Sequence, residues 1–525
     1  MSRLHFVALL LLASTVTLSG RRPEARAASS PESIRPRLWL VDPAPSTPVE
    51  QALLASAQGL LNRDGPTVWV KARGLHARVF ERVSSRFDVV QVPNPWALIA
   101  SNRSRFEGFL TCDITNHTLN LATSLAGPRR ALVIDASLRQ KAIAAGLKEI
   151  ADLRSEPADG VFDRFQHETR RGILIHQPPS KPFHLRDFAV ARNAWVGFEP
   201  SGGALTEHVR ALGPNTEVLG WGADEHDFVG DTSRGGGWVI PADWALNLSA
   251  HPWLHDPAPT TRVSPSPAPV QPGQRVVAFV LSDGDNVQWL LGGFTDSTGF
   301  WASPLRGSFP VTWELAPRLA ELAPAADAWL HRTATPFDAF IGGPSGGGYY
   351  FPHLSPDRPA IARRSADALA RAGLRITSIL NSGGGPDEIA DLLADPRIDG
   401  VLYKDYSPYN RRQGAVTWHH GKPAVAYRYL LWEQKRADGT LRRDWLPDGV
   451  ASAIASSPDD PTRSTDAYSV VQVHPWSFRD RGGPMEAIRE TIEKLPEGTR
   501  VVTAPELIAL IGALKPAARG GAGGK

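Results

Sequence analysis

Carboxyl groups recur in this chain directly after short apolar runs. Asp283 and Asp285, with Asn286, follow the run 275–281, and Glu314 follows 310–313. Lys404 and Asp405 follow 400–403, while Trp432 and Glu433 close an apolar run that begins near Ala424. Breaking an acetal link between sugars needs two carboxyl groups, one held protonated and one ionised. Asp283 or Asp285 paired with Glu433 is the arrangement this pattern favours, with Asp405 in reserve. Tyr429-Leu430-Leu431-Trp432 stands just before Glu433 as an apolar wall able to raise a carboxyl pKa for acid duty. Each acid taken singly also fits a helix cap, a turn or an ion pair.

Other run ends carry groups suited to holding a polar ring: Asn381, His474 and Trp476. A further run, Phe337–Ile341, leads into Gly342-Gly343-Pro344-Ser345-Gly346-Gly347-Gly348-Tyr349-Tyr350-Phe351-Pro352. Glycines there let the backbone turn and lie close to a ligand, so Gly348 is read as a binding position. Tyr349 offers a flat apolar face and a hydroxyl, as a sugar requires. Gly343-Pro344-Ser345-Gly346-Gly347 also matches the G-x-S-x-G elbow, but the glycines and Pro352 oppose the helix that must follow a nucleophilic serine. Asp283-Gly284-Asp285-Asn286 fails as a calcium loop because Val287 takes the third ligand place. Asp283, Asp285 and His474 would suit a metal-dependent carbohydrate esterase or deacetylase if they met. No metal or cofactor is assigned.

Gly346 to Pro352 resembles the G-x-G-Y-x-Y-P signature of the GxGYxYP family of putative glycoside hydrolases, with Phe351 at the second aromatic place. Ser282-Asp283-Gly284-Asp285-Asn286 is similar to the same family. So is the stretch from Gly220-Trp221 through Asp224-Glu225-His226 to Asn247-Leu248-Ser249. The resemblance implies a glycoside hydrolase. A catalytically silent sugar-binding protein is the other reading it leaves open.

These residues need a scaffold that brings run ends together. The apolar runs read as strands at 275–281, 310–313, 339–341, 375–380, 400–403, 424–429, 469–473 and 500–502, with helical segments between most of them. That rhythm over 273–515 predicts a (β/α)8-like barrel, whose active site lies at the C-terminal strand ends. An open doubly wound sheet is the rival. Residues 36–256 alternate strand and helix in short units and predict two or three small α/β subdomains, joined to the barrel by a Pro- and Ser-rich linker, 257–272. Residues 516–525 read as a disordered tail.

The first 27 residues combine a basic start, a short apolar core and Ala25-Arg26-Ala27, which predicts a signal peptide cut after Ala27 and a secreted or periplasmic protein. No later segment is apolar enough to predict a membrane span. The single Cys112 excludes an internal disulfide. A net charge of +3 without a basic block argues against a nucleic-acid partner, leaving a carbohydrate as the expected one. Sequons stand at Asn102, Asn116 and Asn247.

Overall fold

The computed structural model describes residues 35–199, 202–256 and 267–514. The predicted signal segment 1–27, the tail 516–525 and linker residues 257–266 lie outside them. Among the described residues, no helix is long and apolar enough to cross a membrane.

The N-terminal region holds three small parallel sheets, the upper end of the two or three expected. The first orders β1 (Arg37–Val41), β2 (Val68–Val70) and β3 (Asp88–Val92) as β2-β1-β3. The second orders β4 (Gly108–Cys112), β5 (Ala131–Asp135) and β6 (Glu149–Asp152) as β5-β4-β6. In the third, β7 (Ile173–His176), β8 (Trp195–Gly197), β9 (Glu217–Gly220) and β10 (Trp238–Ile240) run β10-β9-β7-β8. Every residue of β4 and β5 is buried, as expected where helices cover both faces of a parallel sheet. Cys112 ends β4, buried and unpaired. Asn247 is no glycan acceptor in this fold. It is fully buried, bonding Gln58 at 2.7 Å and the Val70 amide at 2.8 Å.

The C-terminal region is one ten-stranded sheet. Its strands are β11 (Arg275–Leu281), β12 (Val311–Leu315), β13 (Asp338–Gly342), β14 (Ile376–Asn381), β15 (Gly400–Asp405), β16 (Val416–His419), β17 (Lys422–Ala426), β18 (Tyr429–Leu431), β19 (Tyr468–Val473) and β20 (Thr499–Val502). The order is β16-β17-β15-β14-β13-β12-β11-β19-β18, and all pairings are parallel except β16 with β17. Two departures from the eight-stranded barrel follow. The run read as one strand at 424–429 is two: β17 pairs with β15, and β18 pairs with β19. Between them the Tyr427 amide donates to Tyr403 and the Arg428 amide to Val470, each at 3.0 Å, so one segment bridges the two sides of a curled sheet. The second departure is β20, which does not lie between β19 and β11. It pairs with residues 275–278 of β11, ahead of the point where β12 joins at 280–281.

The two regions meet at the glycine stretch. Val239 of β10 and Tyr349 exchange two backbone hydrogen bonds, both 2.8 Å. Trp238, 1% exposed, lies against Gly347 and Gly348, where an added Cβ would come within 2.6 Å and 2.9 Å of the indole. The Arg364 guanidinium sits 4.4 Å from the same ring centre and bonds Glu217 of β9 at 2.8 Å, with Arg318 reaching Glu217 at 3.0 Å. Gly348 therefore serves close packing between the regions.

Gly347→Ala should force a methyl into the indole and lower stability by about 1–3 kcal/mol, the usual cost of overpacking. Urea unfolding checks this, and an unchanged midpoint would show that the seam yields.

Candidate active site

β11 ends at Leu281, and the chain reverses at Asp283, whose φ is 65°. Gly284 lets the turn lie flat on the end of β12: a Cβ there would fall 1.6 Å from the Glu314 carbonyl oxygen. On the other side Gly343 presses on Asp285, with room of only 2.8 Å between its missing Cβ and the Asp285 amide nitrogen. The turn 283–285 is thus held between the ends of β12 and β13.

Glu314 lies beneath it, fully buried. Its Oε2 accepts from the Asp283 amide at 3.1 Å. Its Oε1 accepts from Lys404 Nζ and from the Tyr427 hydroxyl, each at 3.4 Å. Burial holds the Glu314 carboxyl above its ordinary range, with Lys404 pulling the other way. Lys404, 3% exposed, comes from β15 and presents the charge that acts on Glu314, Asp285 and Glu225 alike.

Glu225 reaches the site from the N-terminal region. It opens the helix Glu225–Arg234, capped by the Asp224 side chain on the Asp227 amide. Its Oε1 accepts from the Tyr349 hydroxyl at 2.9 Å, and burial, opposed by that bond and reinforced by Asp283, raises its pKa. Asp285 is partly exposed as a residue, and its carboxyl has no hydrogen-bond partner among the described residues. Burial, then the charges of Asp283 and Glu314, push it well above the ordinary carboxyl value. Asp283 is held differently, its Oδ2 accepting from the Trp476 indole at 2.9 Å. Glu314, Asp285 and Glu225 thus share the charge of one lysine, and burial pushes each of the three upward, so they hold protons where isolated acids would not.

Aromatic rings wall the cleft. Trp432 stacks on His474 at 4.1 Å with 4° between planes, and Tyr409 and Trp445 lie near-parallel to it at 5.9 Å and 5.8 Å. With His474 over one face, Trp432 is a wall more than a platform. Burial lowers the His474 pKa and keeps the ring neutral, while Asp283 acts in the opposite sense. Trp476 is 37% exposed and remains an open platform.

Other predicted residues are engaged elsewhere. Glu433 Oε2 accepts from the Phe478 amide at 2.8 Å and braces the loop after β19. Asp405 lies 3.1 Å from Arg412 Nε. Asn381 accepts from His353 Nδ1 at 2.9 Å and donates to the Tyr403 hydroxyl. Asn286 caps the short helix Val287–Leu291 through the Trp289 amide. Ser345 Oγ donates to the Tyr350 carbonyl at 2.9 Å, a structural task. The metal set proposed from Asp283, Asp285 and His474 does not form: no three His, Cys, Asp or Glu side chains among the described residues are grouped to hold an ion. Sequence reasoning left Tyr409 unnoticed, gave Glu314 no rank among the acids and gave Glu225 no role. The one sequence signal for Glu225 was its place in the Asp224-Glu225-His226 motif.

A parallel α/β scaffold with acids and aromatics gathered at the C-terminal strand ends has the general build of a hydrolase. The chain belongs to the GxGYxYP family. Residues 273–512 match its "GxGYxYP putative glycoside hydrolase C-terminal domain", 171–252 its third domain and 106–168 its N-terminal second domain. Among solved structures, a putative hydrolase from Bacteroides thetaiotaomicron VPI-5482 is 25% identical with a TM-score of 0.83, covering 92% of this chain and 96% of its own. A putative polysaccharide deacetylase from Mycobacterium smegmatis aligns over 48% of this chain and 99% of its own at 16% identity, with a TM-score of 0.29. No curated protein matches.

Lys404→Met should strand Glu314. A carboxyl whose folded pKa is raised stabilises the fold at low pH and loses that contribution as pH rises through the raised value. The variant raises it further, so the loss should be about 3–5 kcal/mol near pH 8 and smaller near pH 5, where Glu314 takes a proton instead. Urea unfolding at both pH values reads this; equal losses would mean that Glu314 does not depend on Lys404 for its charge.

Proposed function

We propose that this protein is an exported glycoside hydrolase in which Asp285 is the general acid and Asp283 its carboxylate partner. The observation that carries the reading is the Asp285 carboxyl: without a partner among the described residues, on a partly exposed residue, and pushed up by burial and by the neighbouring acids. Asp285 would give its proton to the leaving oxygen as the glycosidic C–O bond breaks. Asp283, held by the Trp476 indole, would face the positive charge developing on the sugar ring or take a proton from the attacking water. Lys404 favours the anion that Asp285 becomes, and the pair formed by Glu225 and Tyr349 closes the opposite wall. The neutral imidazole of His474 suits a sugar hydroxyl. Glu433 is assigned a bracing role in place of the acid role first expected of it.

A panel of aryl glycosides and polysaccharides tests this. Asp285→Asn should lower kcat/KM about 10²- to 10⁴-fold, the usual contribution of a general acid. A general acid must be protonated, so wild-type activity should fall as pH rises through the Asp285 pKa, and the variant should lose that limb. Glu433→Gln should keep turnover within a few-fold. Full activity in Asp285→Asn would sink the assignment.

A further inference from the structure

Beside the acid group lies a groove of about 340 Å³ between the loops 297–300 and 475–484. That volume falls within the range of about 300–1,000 Å³ common for small-molecule sites. Trp476 forms the wall shared with the acids: its Nε1 bonds Asp283, and its ring meets Phe300 edge-on at 6.3 Å. Trp476 therefore joins the groove to the acid group.

One charged side chain lines it, Arg479. Neighbouring arginines are neutralised: Arg481 pairs with Glu490 at 2.7 Å, and Arg489 with Glu486 at 2.5 Å. Arg479 has no hydrogen bond or ion pair with any described residue. Its charge is nonetheless felt nearby, where it adds to burial and Lys404 in lowering the pKa of His474. A free guanidinium offers a planar fork matched to carboxylate or sulfate oxygens. An exposed indole beside it offers a face for the C–H side of a sugar.

From these observations we infer that the groove is a subsite for an acidic sugar unit, with Trp476 under the ring and Arg479 on its carboxylate or sulfate. This rests on the glycoside hydrolase reading of the adjoining acids. The field agrees with the placement. Arg479 is the one charged side chain of the groove, so an anionic unit is drawn there and Arg479 sets which unit of the chain occupies this position.

Titration calorimetry on the full-length protein tests this separately from turnover. The probes are oligogalacturonate against its methyl ester, and a sulfated galactan oligosaccharide against its desulfated form; the two arms distinguish carboxylate from sulfate. At least one acidic probe should bind 10-fold or more tightly than its neutral counterpart. Arg479→Gln should abolish that difference while leaving neutral binding unchanged, Arg479→Lys should restore part of it, and Trp476→Ala should weaken both forms. No preference for either acidic probe, or a preference that survives Arg479→Gln, would overturn the inference. An Arg479-dependent preference without hydrolysis of any glycan would support the subsite and count against the hydrolase reading, so the two failures stay distinguishable.

Discussion

The contact between Trp238 and the backbone of Gly347 and Gly348 is the constraint on which the site depends. No side chain larger than hydrogen fits at either glycine without moving the indole. With the ring seated, Val239 and Tyr349 pair through two short backbone bonds, and the Tyr349 hydroxyl arrives at Glu225. Glu217 adds charge to the same seam through Arg318 and Arg364. The glycine-rich signature thus works by admitting an aromatic ring of the protein itself. Its tyrosine then reaches an acid contributed by the other region.

Electrostatics explain why the acids are layered. Glu314, at the bottom, gives both oxygens to the protein: one to the Asp283 amide, the other to Lys404 and Tyr427. It fixes the turn above it and places the lysine. Asp285 has no side-chain partner among the described residues, and burial, then Asp283 and Glu314, push it well above the ordinary carboxyl value. Burying several like charges around one cation costs stability and raises proton affinity, and such local conflict is usual where chemistry is done.

Much of the scaffold was legible in the chain. β11 has the predicted bounds, 275–281, because a near-continuous apolar run is what a strand covered on both faces needs. The same signal misled at 424–429, since apolar continuity cannot reveal that a run changes partner at Tyr427 and Arg428. β20 was recognised as a strand but not placed, because pairing order is not written in composition. At the site, Asp283 and Asp285 could be found from their strand-end spacing. Glu225 was marked only by its place in Asp224-Glu225-His226: it lies in another sheet's connection, and only tertiary packing brings it across. Glu433 was favoured for its apolar approach, and what decided its role was a backbone amide 45 residues along the chain, invisible to any local pattern.

The shared seam also bears on how such a chain changes over time. Tyr349 and Glu225 stand 124 positions apart in the sequence yet form one wall. A gene rearrangement that exchanged either region for a foreign module would break the indole seat and the acid group together. The third small sheet and the C-terminal sheet are thus physically tied, and a change on one side of the join must be answered on the other.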